Sequence, residues 1–204
     1  IGVMPLGGPV RDLRWVEVDP FYVFHEVNAF RDGDDIVVDV CWHPDMFNES
    51  DLVAGSDRSA VKRWRIGTAG EQLTHREDVV ASRLFELPSH DRRFSGRPYR
   101  HGWFAVTRDD PNTVDFAGVG HIDYQSGSVS EWDPGRGRHG GEAFFVPGDA
   151  GEGEGWLLVF VYDQVSKQSV LAILEAQNVA AGPIAEVALP QRVPYGFHGV
   201  WVPG

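Results

Sequence analysis

Two histidines stand in surroundings that would hold their rings neutral. His25 lies in the run Tyr22-Val23-Phe24-His25-Glu26-Val27-Asn28-Ala29, and His198 in the closing stretch Pro194-Tyr195-Gly196-Phe197-His198-Gly199. Each places an imidazole at the end of a strand-like segment, among aromatic neighbours with little charge nearby. A neutral ring nitrogen held in this way can meet a metal ion. Either segment alone reads more simply as a packed core or rim histidine; what weighs against that reading is the wording of the two taken together with the segments between them. Adjacent strand residues face opposite ways, so Glu26 is not expected to reach the His25 ring. By the same alternation Phe24 and Phe197 turn away from the histidines they precede, unless the strand ends there.

Strands and turns must position these residues. With 24 glycines and 13 prolines in 204 residues, and no window carrying a sustained, capped helical period, the chain reads as all-β. Strands are expected over 13–18, 22–29, 36–41, 61–66, 79–87, 102–107, 114–124, 128–133, 142–146, 156–162, 170–176, 185–189 and 200–202, which are short and rich in Val, Phe, Trp and Ile. Tight turns at 31–34, 125–127 and 164–168 join neighbours as hairpins. A unit of apolar strand, short polar turn and apolar strand recurs at Trp64, Ile122 and Tyr162. Gaps of about 40 to 60 residues fit one four-stranded propeller blade each, and a two-sheet sandwich accounts for the strand count equally well. The segments 43–60 and 147–155 are expected as lids or surface insertions. No domain boundary is visible, so residues 1–204 are taken together.

Eighteen Lys and Arg against thirty Asp and Glu give a net charge of −12. No basic patch is visible, which argues against nucleic acid and anionic membrane as partners. The 42% hydrophobic content is enough for a substantial core. The single cysteine, Cys41, sits in an apolar run, so no disulfide forms within the chain and a reducing compartment, the cytoplasm, is expected. No stretch reaches the ~18 apolar residues of a membrane span. The start, Ile1-Gly2-Val3, lacks an initiator methionine and suggests a segment of something longer.

Four segments, in this order, resemble the carotenoid cleavage oxygenase family, which includes bacterial stilbene-cleaving enzymes. They are Tyr22-Val23-Phe24-His25-Glu26-Val27-Asn28-Ala29-Phe30; Phe85-Glu86-Leu87-Pro88 with Arg93-Phe94-Ser95-Gly96-Arg97-Pro98; Gly140-Gly141-Glu142-Ala143-Phe144-Phe145-Val146-Pro147; and Leu189-Pro190 with Val193-Pro194-Tyr195-Gly196-Phe197-His198-Gly199. The resemblance implies a seven-bladed β-propeller with a non-haem Fe(II) on its axis held by four histidines. Dioxygen there splits a conjugated carbon–carbon double bond into two carbonyl products. His25 and His198 correspond to the third and fourth iron ligands. The first two lie upstream in the family, and none of His43, His75, His90, His101, His121 or His139 sits in a matching motif. The chain thus resembles the C-terminal half only, about four blades. The partners implied are an apolar substrate (carotenoid, apocarotenoid or stilbene), dioxygen and the missing N-terminal half, with peripheral membrane contact in the intact protein.

A histidine that binds metal usually donates its other ring N–H to a carboxylate. Glu86, between Phe85 and Leu87, and Glu142, beside Ala143 and Phe144, are lone acids in apolar strands and match the family positions that orient the histidines. Phe24 and Phe197 are candidates for an apolar tunnel wall, with core packing an equal alternative. Gly199 is expected to let the backbone pass close to a neighbouring strand. Rival readings are a non-catalytic binding or scaffold propeller, a dimer that shares one four-histidine centre, and a β-sandwich that stacks sugars on some of its seven tryptophans, most of which read better as packing.

Overall fold

A computed structural model describes residues 1–44, 59–107 and 116–202. Strands β1 (Gly2–Val3) and β2 (Arg14–Trp15) pair as a short ribbon. Strands β3 (Tyr22–Asp32), β4 (Asp35–His43), β5 (Ala60–Gly67) and β6 (Thr74–Ala81) follow in chain order as one antiparallel sheet. A second sheet repeats the plan with β7 (Phe85–His90), β8 (His101–Thr107), β9 (Phe116–Asp123) and β10 (Ser128–Trp132). In the third, β11 (Arg138–His139) and β12 (Ala143–Pro147) both pair with β13 (Gly155–Asp163), which continues to β14 (Gln168–Glu175) and β15 (Pro183–Ala188). Each sheet is an up-and-down meander, the order of a propeller blade, and none of the described strands crosses between sheets as a Greek-key sandwich requires. Among the described residues these make three blades and a two-stranded ribbon of the partial propeller, expected at about four blades.

Apolar side chains on facing sheets hold the blades together. Val27, Cys41 and Val61 of the first blade pack on Phe85, Phe104 and Ile122 of the second. Trp103, Val119 and Trp132 of the second pack on Ala143, Phe145 and Leu157 of the third. The Trp103 and Phe145 rings stack at 4.5 Å and 7°. Trp64, Trp103 and Trp132 are buried and Trp42 lies half-buried under Lys62, while Trp15, Trp156 and Trp201 are exposed.

The hairpin turns form where the sequence places them, and two repeat in detail. Asp123 accepts backbone N–H bonds from Gln125 and Ser126, and Asp163 accepts them from Val165 and Ser166. Gly127 and Lys167 close the two turns in the left-handed region, at φ +72° and +55°. This is the recurring unit at Ile122 and Tyr162 seen as structure.

Several expectations are corrected. The expected strand 79–87 is two strands, β6 and β7, on different blades, parted at Ser82–Leu84 where the chain turns from one sheet to the next. The expected strand 13–18 pairs only at Arg14–Trp15, and 200–202 runs as irregular chain. Residues 45–58, most of the expected loop 43–60, and 114–115 lie outside the described residues. The segment 147–155, expected as a lid or surface insertion, is bonded to the second blade. The Glu152 carboxylate accepts the backbone N–H groups of Arg100 and His101, and the Arg93 guanidinium donates to the carbonyls of Gly148, Ala150 and Gly151. Those contacts clamp the segment to the second blade. Among the described residues no helix is long and apolar enough to cross a membrane.

Candidate metal centre

The first strands of successive blades touch in order, β3 on β7 and β7 on β12. They are the inner strands, and they carry His25, Glu86 and, one residue before β12, Glu142. In each of the three the regular pairing breaks at the residue concerned. Pairing of β3 with β4 shifts between Val23 and Glu26 and again between Glu26 and Asn28, so β3 holds two extra residues. His25 sits in the first of these bulges, inside an eleven-residue strand and not at its end. Pairing of β7 with β8 shifts between Glu86 and Ser89. There Leu87, buried, takes φ +49°, a left-handed conformation that costs a branched side chain energy and persists only where surrounding packing imposes it. The inner strand of the third blade is cut into β11 and β12 by Gly140, Gly141 and Glu142. A bulge re-aims a side chain that simple alternation would send elsewhere, and here the three irregularities bring their side chains to one place.

His25 Nδ1 lies 2.6 Å from Glu86 Oε2. His198, on the irregular tail after β15, has Nδ1 at 3.4 Å from Glu142 Oε1, and the Gly199 N–H donates to Glu142 Oε2 at 2.7 Å. The remaining ring nitrogens, Nε2 of His25 and Nε2 of His198, face each other at 3.2 Å. With each Nδ1–H directed at a carboxylate, both Nε2 atoms turn lone pairs to the gap between them, where a cation would satisfy both. Metal–nitrogen bonds of ~2.0–2.1 Å place neighbouring ligand nitrogens roughly 2.8–3.4 Å apart for right-angle to tetrahedral arrangements. The observed spacing fits. Among the described residues no group of three or more His, Cys, Asp or Glu converges on one such point.

The acids are shielded and the histidines graded: side-chain exposure is 9% for Glu86, 12% for Glu142, 27% for His25 and 56% for His198. Burial pushes the Cys41 thiol well above its ordinary value, and the carboxylates of Glu86 and Glu26 push it the same way. The ring nitrogens of His25 face Glu86 and His198 and not Glu26, which lines a cavity of about 370 Å³ with Asp91, Arg92, Glu142 and Gly199. Gly199 packs where a Cβ would collide with the Phe144 ring, the close approach its position suggested.

Phe24 and Phe197 are not brought together. Phe197 lines an apolar cavity of about 390 Å³ beside His198, with Phe144, Phe160, Tyr162 and Tyr195. Phe24 lies outside it, half-exposed, its ring on Tyr22 at 4.6 Å and on His43 at 5.6 Å. One contributor escaped the sequence reading: His43, at the end of β4, has Nε2 at 2.7 Å from Glu86 Oε1. Its position opposite Tyr22 depends on the two β3 bulges, which a single sequence does not announce.

Inner propeller strands that gather two histidines beside two carboxylates define a class: a partial β-propeller with a histidine–carboxylate cluster at its inner strands. The profile of the retinal pigment epithelial membrane protein family matches residues 1–203, and the chain belongs to that family. It is 31% identical over 227 residues to the lignostilbene-alpha,beta-dioxygenase isozyme III of Sphingomonas paucimobilis, covering 98% of this chain and 46% of that protein. It is likewise 31% identical over 200 residues to the chloroplastic 9-cis-epoxycarotenoid dioxygenase NCED6 of Arabidopsis thaliana, covering 94% of this chain and 33% of that one. A cobalt-substituted Synechocystis apocarotenoid oxygenase superposes with a TM-score of 0.82 at 28% identity, over 93% of this chain and 41% of its own. The chain thus spans less than half the length of these relatives.

Proposed function

We propose that this chain is part of a non-haem Fe(II)-dependent dioxygenase that cleaves a conjugated carbon–carbon double bond of a stilbene, carotenoid or apocarotenoid to two carbonyl products. The observation that carries the reading is the 3.2 Å approach of two Nε2 atoms whose Nδ1 partners are both carboxylates. The names of the relatives, lignostilbene and epoxycarotenoid dioxygenases among them, support the substrate class. The cobalt-substituted neighbour supports a metal.

In this reading His25 and His198 hold the ion through Nε2. Bound there, Fe(II) supplies the electrons and open positions that dioxygen needs beside the alkene. Glu86 and Glu142 each keep one imidazole in the Nδ1–H tautomer and raise its basicity. Phe197 and its aromatic neighbours offer an apolar wall that excludes water and accepts a hydrocarbon or stilbene frame. The remaining ligands come from residues outside this chain, which would form the other part of the same propeller domain. A single buried cysteine suits a reducing compartment such as the cytoplasm.

The test is anaerobic loading of the 204-residue chain with Fe(II), with metal content and oligomeric state measured together. The expected result is metal uptake that His25→Ala and His198→Ala each reduce by at least about tenfold. Binding equal to the native chain in both variants would overturn the reading. One iron per dimer would place the further ligands on a second copy instead.

A further inference from the structure

We propose that His43 is a positioning residue of the metal centre, acting on the His25 ring through the carboxylate they share. The inference rests on the reading of His25 as a ligand. Glu86 is gripped at both oxygens: Oε2 faces His25 Nδ1 at 2.6 Å and Oε1 faces His43 Nε2 at 2.7 Å. Both distances are those of strong, charge-assisted hydrogen bonds. The backbone N–H of Leu87 adds a longer bond to Oε2, at 3.2 Å. Among the described residues His43 is the one partner of Oε1, and a shielded carboxylate oxygen without a donor would be costly.

The tautomers run in one direction. Metal binding through Nε2 of His25 leaves its Nδ1–H to donate to Glu86. A carboxylate only accepts, so His43 donates to Glu86 from Nε2, and in the neutral ring its Nδ1 is then the acceptor. A donor stands there: Ser59 Oγ, 3.1 Å from His43 Nδ1. The relay therefore reads Ser59 O–H to His43, His43 N–H to Glu86, and Glu86 accepting the His25 N–H. It ties the end of β4 and the residue before β5 to the bulges of β3 and β7. The Phe24 ring, edge-on to His43 at 5.6 Å, packs beside the imidazole. Among the described residues Glu142 has no second histidine; its other oxygen holds the Gly199 backbone. The two ligands are thus braced differently, His25 by a side-chain relay and His198 by its own tail.

The experiment compares the native 204-residue chain with His43→Leu, His43→Gln and the milder Ser59→Ala. One readout needs no metal: the ring Nδ1–H resonance of His25 in the 15N-labelled metal-free chain, assigned by its loss in His25→Gln. The other is Co(II) affinity from absorbance. His43→Leu is expected to lose or shift the resonance and to weaken Co(II) binding by about tenfold or more. His43→Gln, whose amide can donate to the same oxygen, is expected to keep the resonance and stay within about threefold of native. Ser59→Ala is expected to shift the resonance in the same direction as His43→Leu. The proposal falls if His43→Leu or Ser59→Ala leaves the resonance where it was, or if His43→Gln loses it while its circular dichroism stays native. Should the native chain bind no Co(II), the metal reading fails on its own, and the resonance still decides whether His43 positions His25.

Discussion

His25 and His198 bring their Nε2 atoms to 3.2 Å although 173 residues separate them in the chain. Neither is delivered by regular strand geometry. His25 sits in a bulge of β3, and His198 lies on a tail that is not a strand. The acids that hold them also occupy irregular places, Glu86 beside the left-handed Leu87 and Glu142 in the cut between β11 and β12. The four-residue group is directed by these breaks in the inner strands, which re-aim side chains that regular alternation would send elsewhere.

Glu142 is expected to anchor the tail as well as the ring. The tail after β15 is pinned at Ser169, which accepts the N–H groups of Leu189 and Val193, and then at Glu142, which accepts that of Gly199. Glu142→Ala should speed amide exchange at Gly199 and cut metal affinity by about 10- to 100-fold. Hydrogen exchange read by mass spectrometry checks the first effect. Unchanged protection of 196–202 would assign the anchoring to the Phe144 contact instead.

The paired glycines of the third blade are expected to behave differently. A Cβ on Gly140 would stand 2.5 Å from the Ala117 carbonyl oxygen, which also accepts the Gly140 N–H at 3.0 Å. On Gly141 a Cβ meets nothing within 4 Å. Gly140→Ala must therefore push the backbone off the second blade, at a cost of about 1–3 kcal/mol, while Gly141→Ala should fall within about 0.5 kcal/mol of native. Urea unfolding midpoints of the two variants decide it; equal midpoints would contradict the contact.

How much of this was legible follows from which residues report on themselves. The turns did, because glycine or an Asp that caps backbone N–H groups is written into the sequence, as at Asp123 and Gly127. His25, His198, Glu86 and Glu142 did through their motifs, and the structure groups all four. His43 did not. Counted back from the Gly33 turn, a regular hairpin would set His43 opposite Phe24, whereas two extra residues in β3 set it opposite Tyr22. Bulges depend on neighbouring strands and sheets, so local pattern cannot reveal them. The fusion of β6 and β7 into one expected strand has a related cause: Val79, Val80, Ala81 and Phe85 read as one apolar run, yet they serve two sheets.

The ion pair under the first blade is expected to dominate stability. Asp39 is fully buried and takes Nε and Nη2 of Arg63 at 2.8 and 2.7 Å, with the Tyr99 hydroxyl donating at 2.6 Å from the segment between β7 and β8. Arg63→Met leaves that carboxylate buried with one neutral donor, and removal of one partner of such a pair costs about 3–5 kcal/mol. Replacing both, as Asp39→Leu with Arg63→Met, should recover part of the loss. A double variant no more stable than Arg63→Met would show that packing, not the stranded charge, sets the cost.

Acid should weaken the second blade through its histidine pair. His101 and His121 are buried, with His101 Nδ1 at 3.0 Å from His121 Nε2 and the His121 ring stacked on Trp103 at 5.7 Å. Burial holds His101 below its ordinary value, and burial reinforced by His101 holds His121 down to about 4. Both rings are therefore favoured neutral in the fold, and in the unfolded chain they take up protons near pH 6.5. Below that pH the unfolded state binds more protons than the native one, so stability falls as pH falls, at up to about 1.4 kcal/mol per unit for one site, until His121 itself protonates near pH 4. Above about pH 6.5 the pair adds no slope. Urea midpoints of the native chain and of His121→Gln, taken from pH 4.5 to 7, should converge toward the acid end because the variant lacks this loss. Parallel curves over that range would mean that His121 gains its proton in the folded state as readily as in the unfolded one.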